Sequence, residues 1–275
     1  MGNILKKVFY ITNKYIVLAT PLILFSLIST IYMAYFVGGN LIKVLVAELL
    51  LLMMTAVFIA GWFNMIKVAI KDPDKDNINS LMKEFPSGVG EYFASSIGAV
   101  ILISIFAILM LILSFFVGMK LIGDIGISHQ VFQNALKTTD SLKVFLTSLS
   151  AEQLSKLALW NMLLLGCMSL TSFLSMFYML PLFFKTKNFL LAFCIGLKDI
   201  FSKKIFHTIL LYLFIFVGYF VISLLSTIFY KNMIMHFIMT LLTFYYVVLI
   251  AVGVFYFYYH NFVKPQIGQN VDEIV

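Results

Sequence analysis

Six long apolar runs separated by short polar segments set the pattern of this chain: Tyr15 to Val37, Val44 to Ile66, Phe93 to Val117, Leu157 to Phe184, Ile205 to Tyr230 and Asn232 to Tyr259. A helix needs about 20 residues to cross the hydrocarbon core of a bilayer, and every run reaches that length. Backbone groups in lipid must be hydrogen-bonded internally, so the runs are predicted to be transmembrane helices. A membrane barrel would show segments of about ten residues alternating in polarity, and no segment here does. The prediction is an all-α polytopic bundle of six helices, a single transmembrane domain over residues 1–275.

The polar segments carry a second pattern. Phe85-x-x-Gly88-Val89-x-Glu91-x-Phe93-Ala94-x-x-Ile97-x-x-x-Ile101-Leu102 returns as Phe193-x-x-Gly196-Leu197-x-Asp199-x-Phe201-Ser202-x-x-Ile205-x-x-x-Ile209-Leu210. Upstream, Phe63-x-Met65-Ile66 with Lys71 answers Phe177-x-Met179-Leu180 with Lys185, after a six-residue shortening of the second connector. In both copies an amphipathic elbow, at 71–92 and at 185–204, leads into a membrane-length helix. This predicts a duplicated helix-elbow-helix unit with two parallel copies about an axis along the membrane normal. Chance likeness between apolar runs is the alternative; the paired glycine, phenylalanine and acidic positions favour duplication.

Local signals refine the connectors. The polar cluster from Lys71 to Asn77 ends a helix, and Ser80 opens an amphipathic piece expected to break at Pro86. Asn188 stands where an N-cap would open the second elbow. The connection 118–156 begins with Gly118, Gly123 and Gly126, is expected to start a short helix at Asp140 or Ser141, and has capping-box spacing from Ser150 to Gln153.

Composition excludes a water-soluble domain: 62% of residues are hydrophobic and 11% charged, against about 25% charged in soluble domains. All 19 basic residues are lysine, and without arginine the chain lacks the side chain best suited to bidentate phosphate or carboxylate recognition. With the N-terminus inside, 13 of the 19 lysines fall on the cytoplasmic side. The positive-inside bias then predicts a cell-membrane protein with both termini cytoplasmic. The net charge of +7 meets anionic headgroups on that face and calls for no nucleic acid. Tyr15 to Val37 is too long for a leader and has no small-residue cleavage site, so it is expected to be a retained span. Cys167 and Cys194 provide no disulfide framework.

Ionisable groups within spans are functional candidates because burying charge in lipid is costly. Glu48 is the only acid in the six runs; its position suits an ion or proton role, snorkelling, or a hydrogen bond to a neighbouring helix. Asn64 reads as interhelical hydrogen-bonding glue. Gly90, Ala94 and Gly98 share one helical face and are expected to pack against another helix. Gly166, Ser169, Ser172 and Ser175 read as a second small-residue stripe. Trp62, Trp160, Tyr256, Tyr258 and Tyr259 fall near span ends, as interfacial anchors do. The histidines form no HExxH or HxxE cluster, so neither metal nor cofactor is expected. On the elbows, candidate contact residues are Gly88, Glu91 and Phe93 in the first copy, and Gly196, Lys198, Asp199, Phe201, Lys203 and Lys204 in the second. Amphipathic elbows lie in the interface plane with lysines at the headgroups, where they would meet membrane lipid or a membrane or cytoplasmic protein partner.

The G-x-x-[ED]-x-F-[AS] lead into a helix, at Gly88, Glu91, Phe93 and Ala94 and again at Gly196, Asp199, Phe201 and Ser202, resembles bacterial multi-pass families of unknown function. These include the membrane domain attached to some glycerophosphodiester phosphodiesterases. The resemblance implies an all-helical membrane domain with elbow helices, and the phosphodiesterase activity does not carry over. The coupling loop of ABC importer permeases is a weaker likeness: Ala192 and Gly196 are present, but not its Glu-Ala-Ala run. The expected function is a non-enzymatic membrane scaffold or accessory subunit. The alternative is a transporter or permease for a lipidic or small apolar solute.

Overall fold

A computed structural model of the chain describes residues 2–36, 41–73, 78–135, 139–202, 204–229 and 232–264. Their elements are α1 (Gly2–Lys14), a 3-10 turn (Ile16–Leu18), α2 (Ala19–Phe36), α3 (Leu41–Lys71), α4 (Ile78–Leu121), α5 (His129–Ala135), α6 (Thr139–Ser148), α7 (Ala151–Phe184), α8 (Phe189–Ile200), α9 (Ile205–Phe229) and α10 (Met233–Tyr258). The last runs on into a π-helical turn (Tyr259–Val263). Among the described residues, six helical segments are long and apolar enough to cross a membrane: Ile16–Tyr35, Val46–Lys71, Asn79–Leu121, Ala151–Phe184, Ile205–Phe229 and Met233–Val263. The chain is an all-α, multi-pass integral membrane protein, as the apolar runs predict.

Two elements depart from the expectation. At 1.5 Å per residue the 44 residues of α4 reach about 66 Å, more than twice the ~30 Å hydrocarbon core, so the first elbow and the third span are one helix. Pro86 does not break it; the proline is exposed, as is Met82 one turn earlier. The second elbow does break, between Ile200 and Ile205. There the Ser202 hydroxyl accepts a hydrogen bond from Lys204 N at 3.3 Å, the capping geometry that competes with a continuing helix. The matching position in the first copy is Ala94, the residue type with the highest helix propensity. The other departure is α1, which no apolar run announces: Val8, Ile11 and Thr12 are buried at helical spacing while Lys6 and Lys7 are exposed.

The chain divides into two compact units, Met1–Leu102 with Ser175–Val275, and Ile103–Leu174. In the first, the core gathers at the end of α3, the end of α7 and the second half of α10. Every residue from Ala60 to Ile66 and from Phe177 to Phe183 is buried. Aromatic rings link these helices: Phe25 stacks on Phe58 at 4.4 Å, Phe63 meets Phe255 at 4.9 Å and Phe183 at 5.5 Å, and Phe177 meets Tyr258 at 5.6 Å. Lipid tails are as apolar as leucine, so such packing rests on dispersion rather than on expulsion of water. Trp62 belongs to this core, 4% exposed, its Nε1 donating to Leu18 O at 2.8 Å. Tyr258 is fully buried. Both stand corrected as interfacial anchors, because their polar atoms find partners inside the fold.

Glycines set how closely the elbows approach. A methyl group at Gly88 would stand 2.4 Å from Asn64 Cβ and 2.6 Å from Ala60 O, and one at Gly196 would stand 2.5 Å from Tyr178 Cα. Asn64 and Tyr178 occupy the same place in the two sequence patterns, one residue after Phe63 and Phe177. The expected Gly90-Ala94-Gly98 packing face is corrected: Gly90 has nothing within 4 Å and only Gly98 is covered, by the Phe189 ring. Gly90 and Ala94 are exposed because the buried side of α4 is set by Gly88, Tyr92 and Ser96.

In the second unit, α4 ends where Gly123, at φ +80°, turns the chain and its N–H reaches back to Gly118 O at 3.1 Å. Gly118 makes room for the Trp160 indole, whose Nε1 donates to Gly123 O at 3.1 Å. The predicted capping box opens α7 reciprocally: Ser150 N donates to Gln153 Oε1 at 3.1 Å, and Gln153 N to Ser150 Oγ at 3.2 Å. On α7 the expected stripe is not a continuous contact: Gly166 has nothing within 4 Å, and Ser172 is exposed, bonding back to Met168 O at 2.9 Å.

Gly88→Val and Gly196→Val are expected to lower stability by about 1–3 kcal/mol through overpacking, whereas Gly90→Ala stays within about 0.5 kcal/mol. Thermal unfolding of the detergent-solubilised protein measures the difference; equal midpoints for all three would remove the close approach of elbow to helix.

Candidate functional site

The polar chemistry of the first unit concentrates where the elbows meet the ends of α3, α7 and α10. Asp199, on the buried side of α8, accepts a hydrogen bond from Lys185 Nζ at 3.0 Å and from Tyr258 Oη at 2.5 Å. The Lys185 and Asp199 side chains are only 15% and 13% exposed, and the Lys185 ammonium also lies 5.4 Å from the Tyr258 ring centroid. Asn188 caps α8 by accepting from Leu190 N at 3.0 Å and Leu191 N at 3.2 Å. This cap and Gly196 orient the helix so that Asp199 faces inward. Beyond the break, Lys204 Nζ donates to Asn261 Oδ1 at 2.9 Å and Asn261 O at 3.2 Å, tying the start of α9 to the π-helical turn.

A second cluster surrounds the first elbow. Lys67 Nζ donates to Tyr92 Oη at 2.7 Å, and Glu91 Oε1, next to Tyr92 in sequence, pairs with Lys187 Nζ at 3.1 Å. Lys187 belongs to the connector ahead of α8, and Ser95 Oγ donates to its carbonyl at 2.5 Å. Asn64 Nδ2 donates to Glu84 O at 3.0 Å and reaches Glu84 Oε2 at 3.4 Å. It therefore binds α3 to α4, as interhelical glue should.

Of the other sequence candidates, Glu48 is exposed and lies 19 positions before Lys67 on the same helix, about 28 Å along the axis at 1.5 Å per residue. That is close to the full ~30 Å of hydrocarbon, so with Lys67 at one headgroup level Glu48 stands near the other. Phe93 lines an apolar groove with Phe25, Phe58, Met82 and Phe85, while its counterpart Phe201 is 72% exposed. Lys198 is exposed, and Lys203 falls outside the described residues. Of the partners, Lys67, Tyr92 and Lys187 were not singled out from the sequence, while Lys185 was marked only by the repeated pattern and Tyr258 only as an expected interfacial anchor. The signal available was the repeated sequence pattern, which aligns Lys71 with Lys185 and Glu91 with Asp199.

Two grooves accompany these clusters, one in each unit. In the first, a cavity of about 610 Å³ runs between α2, α3 and the start of α4. In the second, one of about 1090 Å³ lies between α4 and α7, lined by Leu111, Phe115, Met119, Leu157, Trp160 and Asn161 among others. Both walls are predominantly apolar, so they accommodate hydrocarbon rather than ions. Among the described residues, no three His, Cys, Asp or Glu side chains gather as a metal site requires.

Comparison of the chain with protein-family models, curated proteins and solved structures gave no match.

Removing one partner of a buried pair leaves the other charge uncompensated and typically costs about 3–5 kcal/mol, so Asp199→Asn is expected to destabilise strongly. Lys187→Gln breaks a pair whose side chains are 64% and 37% exposed and should cost less than about 1 kcal/mol. Unfolding midpoints of the two variants test this ordering, which a larger loss for Lys187→Gln would reverse.

Proposed function

We propose that this protein is a non-enzymatic membrane scaffold or accessory subunit whose elbows rest in the lipid interface and present a surface to lipid or to a partner. The observation that carries the reading is the two-sidedness of α8. Its inner side holds Gly196 against Tyr178 and Asp199 against Lys185 and Tyr258. Its outer side exposes Leu190 (55%), Leu191 (51%) and, at the following turn, Phe201 (72%), with Cys194 and Lys198 also exposed. Such a face suits the boundary between acyl chains and headgroups, with lysine reaching outward. The lysine bias supports a cytoplasmic position for this end, with both termini, at the cell membrane. The matching contacts of Gly88 with Asn64 and of Gly196 with Tyr178 support descent from a duplicated helix-elbow-helix unit.

A second reading, a carrier for a lipidic or small apolar solute, is favoured by the groove of about 1090 Å³ between α4 and α7.

A spin label on Cys194, in a Cys167→Ser background reconstituted into vesicles, is expected to report interfacial depth, accessible to both oxygen and a water-soluble relaxant. Access to the aqueous relaxant alone would remove the elbow from the membrane. For the second reading, Ala158→Trp narrows the groove; lost solute flux at unchanged protein level would put the carrier first, and unchanged flux would set it aside.

A further inference from the structure

The first-elbow cluster has more donors than acceptors. Lys67 and Lys71 stand one turn apart at the end of α3, and Lys187 approaches from the connector ahead of α8. Each ammonium offers three N–H donors and accepts nothing. Among the described residues their hydrogen-bond acceptors are the Tyr92 hydroxyl, which takes Lys67 at 2.7 Å, and Glu91, which takes Lys187 at 3.1 Å. Among the described residues Lys71 has only the Phe184 ring, 5.9 Å from its Nζ. Glu91 attracts Lys67, while Lys71 and Lys187 are both near enough to repel it; Glu84 attracts it more weakly, and the Glu84 carboxylate is also held by Asn64.

The second copy shows what is missing. Lys185, the counterpart of Lys71, has Asp199 as its acceptor. The counterpart acid in the first copy, Glu91, is instead paired with Lys187, so among the described residues Lys71 has no carboxylate within ion-pair distance. The place of the cluster in the fold supplies the rest. The candidate spans Val46–Lys71 and Ala151–Phe184 both end there, which is the height at which a bilayer presents its phosphates. A choline or ethanolamine headgroup brings a cation that three lysines repel, whereas an anionic headgroup brings acceptors and no such cation.

We infer that Lys67, Lys71 and Lys187 form a binding site for the phosphate of an anionic phospholipid headgroup, seated beside Tyr92 and Phe184. This rests on the reading that this end of the bundle meets lipid, and it assigns the headgroup to residues other than the outward lysine of α8. The phosphate oxygens supply the acceptors that Lys71 lacks, and the acyl chains continue down the apolar surface below.

The test uses the full chain in mild detergent, titrated with phosphatidylglycerol, phosphatidylcholine or inorganic phosphate while the unfolding midpoint is followed. Phosphatidylglycerol is expected to raise the midpoint of the wild type and of Lys198→Gln. Its half-saturating concentration should rise roughly fivefold for each lysine removed in Lys71→Gln and in the Lys71→Gln, Lys187→Gln double variant. Lys71 is exposed and donates no hydrogen bond among the described residues, so its single variant keeps the test intact should the double variant not fold. Equal titrations for wild type and Lys71→Gln overturn the site. So does an equal shift from phosphatidylcholine, and an equal shift from inorganic phosphate would make the ligand a soluble anion. A shift lost in Lys198→Gln but kept in Lys71→Gln overturns this site while leaving the elbow reading standing.

Discussion

A buried carboxylate has to be paired, and the pairing of Asp199 ties together the ends of α7, α8 and α10. Desolvating a charge costs several kcal/mol unless attraction and hydrogen bonds offset it. Asp199 meets that demand by drawing in Lys185 from the end of α7 and Tyr258 from α10. Two neighbouring elements and a third 59 positions on are thereby held at one point. The aromatic packing of Phe177, Tyr258 and Phe262 closes over it, with ring centroids 5.3 to 6.0 Å apart. Lys204, anchored on Asn261, then fixes where α9 departs.

The two copies of the sequence pattern solve the same problem differently. Both use a glycine to bring the elbow against the preceding helix, because any Cβ there would overlap the helix it touches. They diverge one turn later. Ala94 lets α4 continue without interruption, whereas Ser202 supplies a side-chain acceptor and the chain turns. The acids diverge as well: Asp199 points into the core, while Glu91 stays at the surface and pairs across to the other copy's connector through Lys187. Equivalent letters in the two copies of the pattern thus acquire unequal electrostatic surroundings, and the gathering of lysines beside Tyr92 is the result.

Lipid changes how exposed surface is understood in such a molecule. Only Thr208 of α9 is buried, the rest being exposed or half-buried where the helix packs on Tyr246 of α10, yet an apolar face toward acyl chains needs no protein partner. Informative exposure is therefore polar or small in character: Lys71, Lys187 and Lys198 at the helix ends, and the open side of α4 at Gly90. Conversely, Trp62 and Tyr258 show that an aromatic residue near a span end is not thereby an interfacial anchor, since each donates its polar hydrogen to a partner inside the core.

Much of the architecture was legible in the sequence because it depends on local chemistry. Run length decides which segments can span a bilayer. Asn188, Ser150 and Gln153 decide where helices begin, through hydrogen bonds that reach only two or three residues. Helix α1 was open to the same logic, with Val8, Ile11, Thr12 and Tyr15 on one face, but its lysines and asparagines kept it out of the apolar runs. What tertiary structure alone decided is which charges meet. Asp199 and Tyr258 are 59 positions apart, Ser95 and Lys187 are 92 apart, and no local periodicity encodes either contact. The sequence could place a lysine or a carboxylate at the end of a span. Its partner depends on how closely two helices approach and which side of each is buried, and those follow from packing the whole chain.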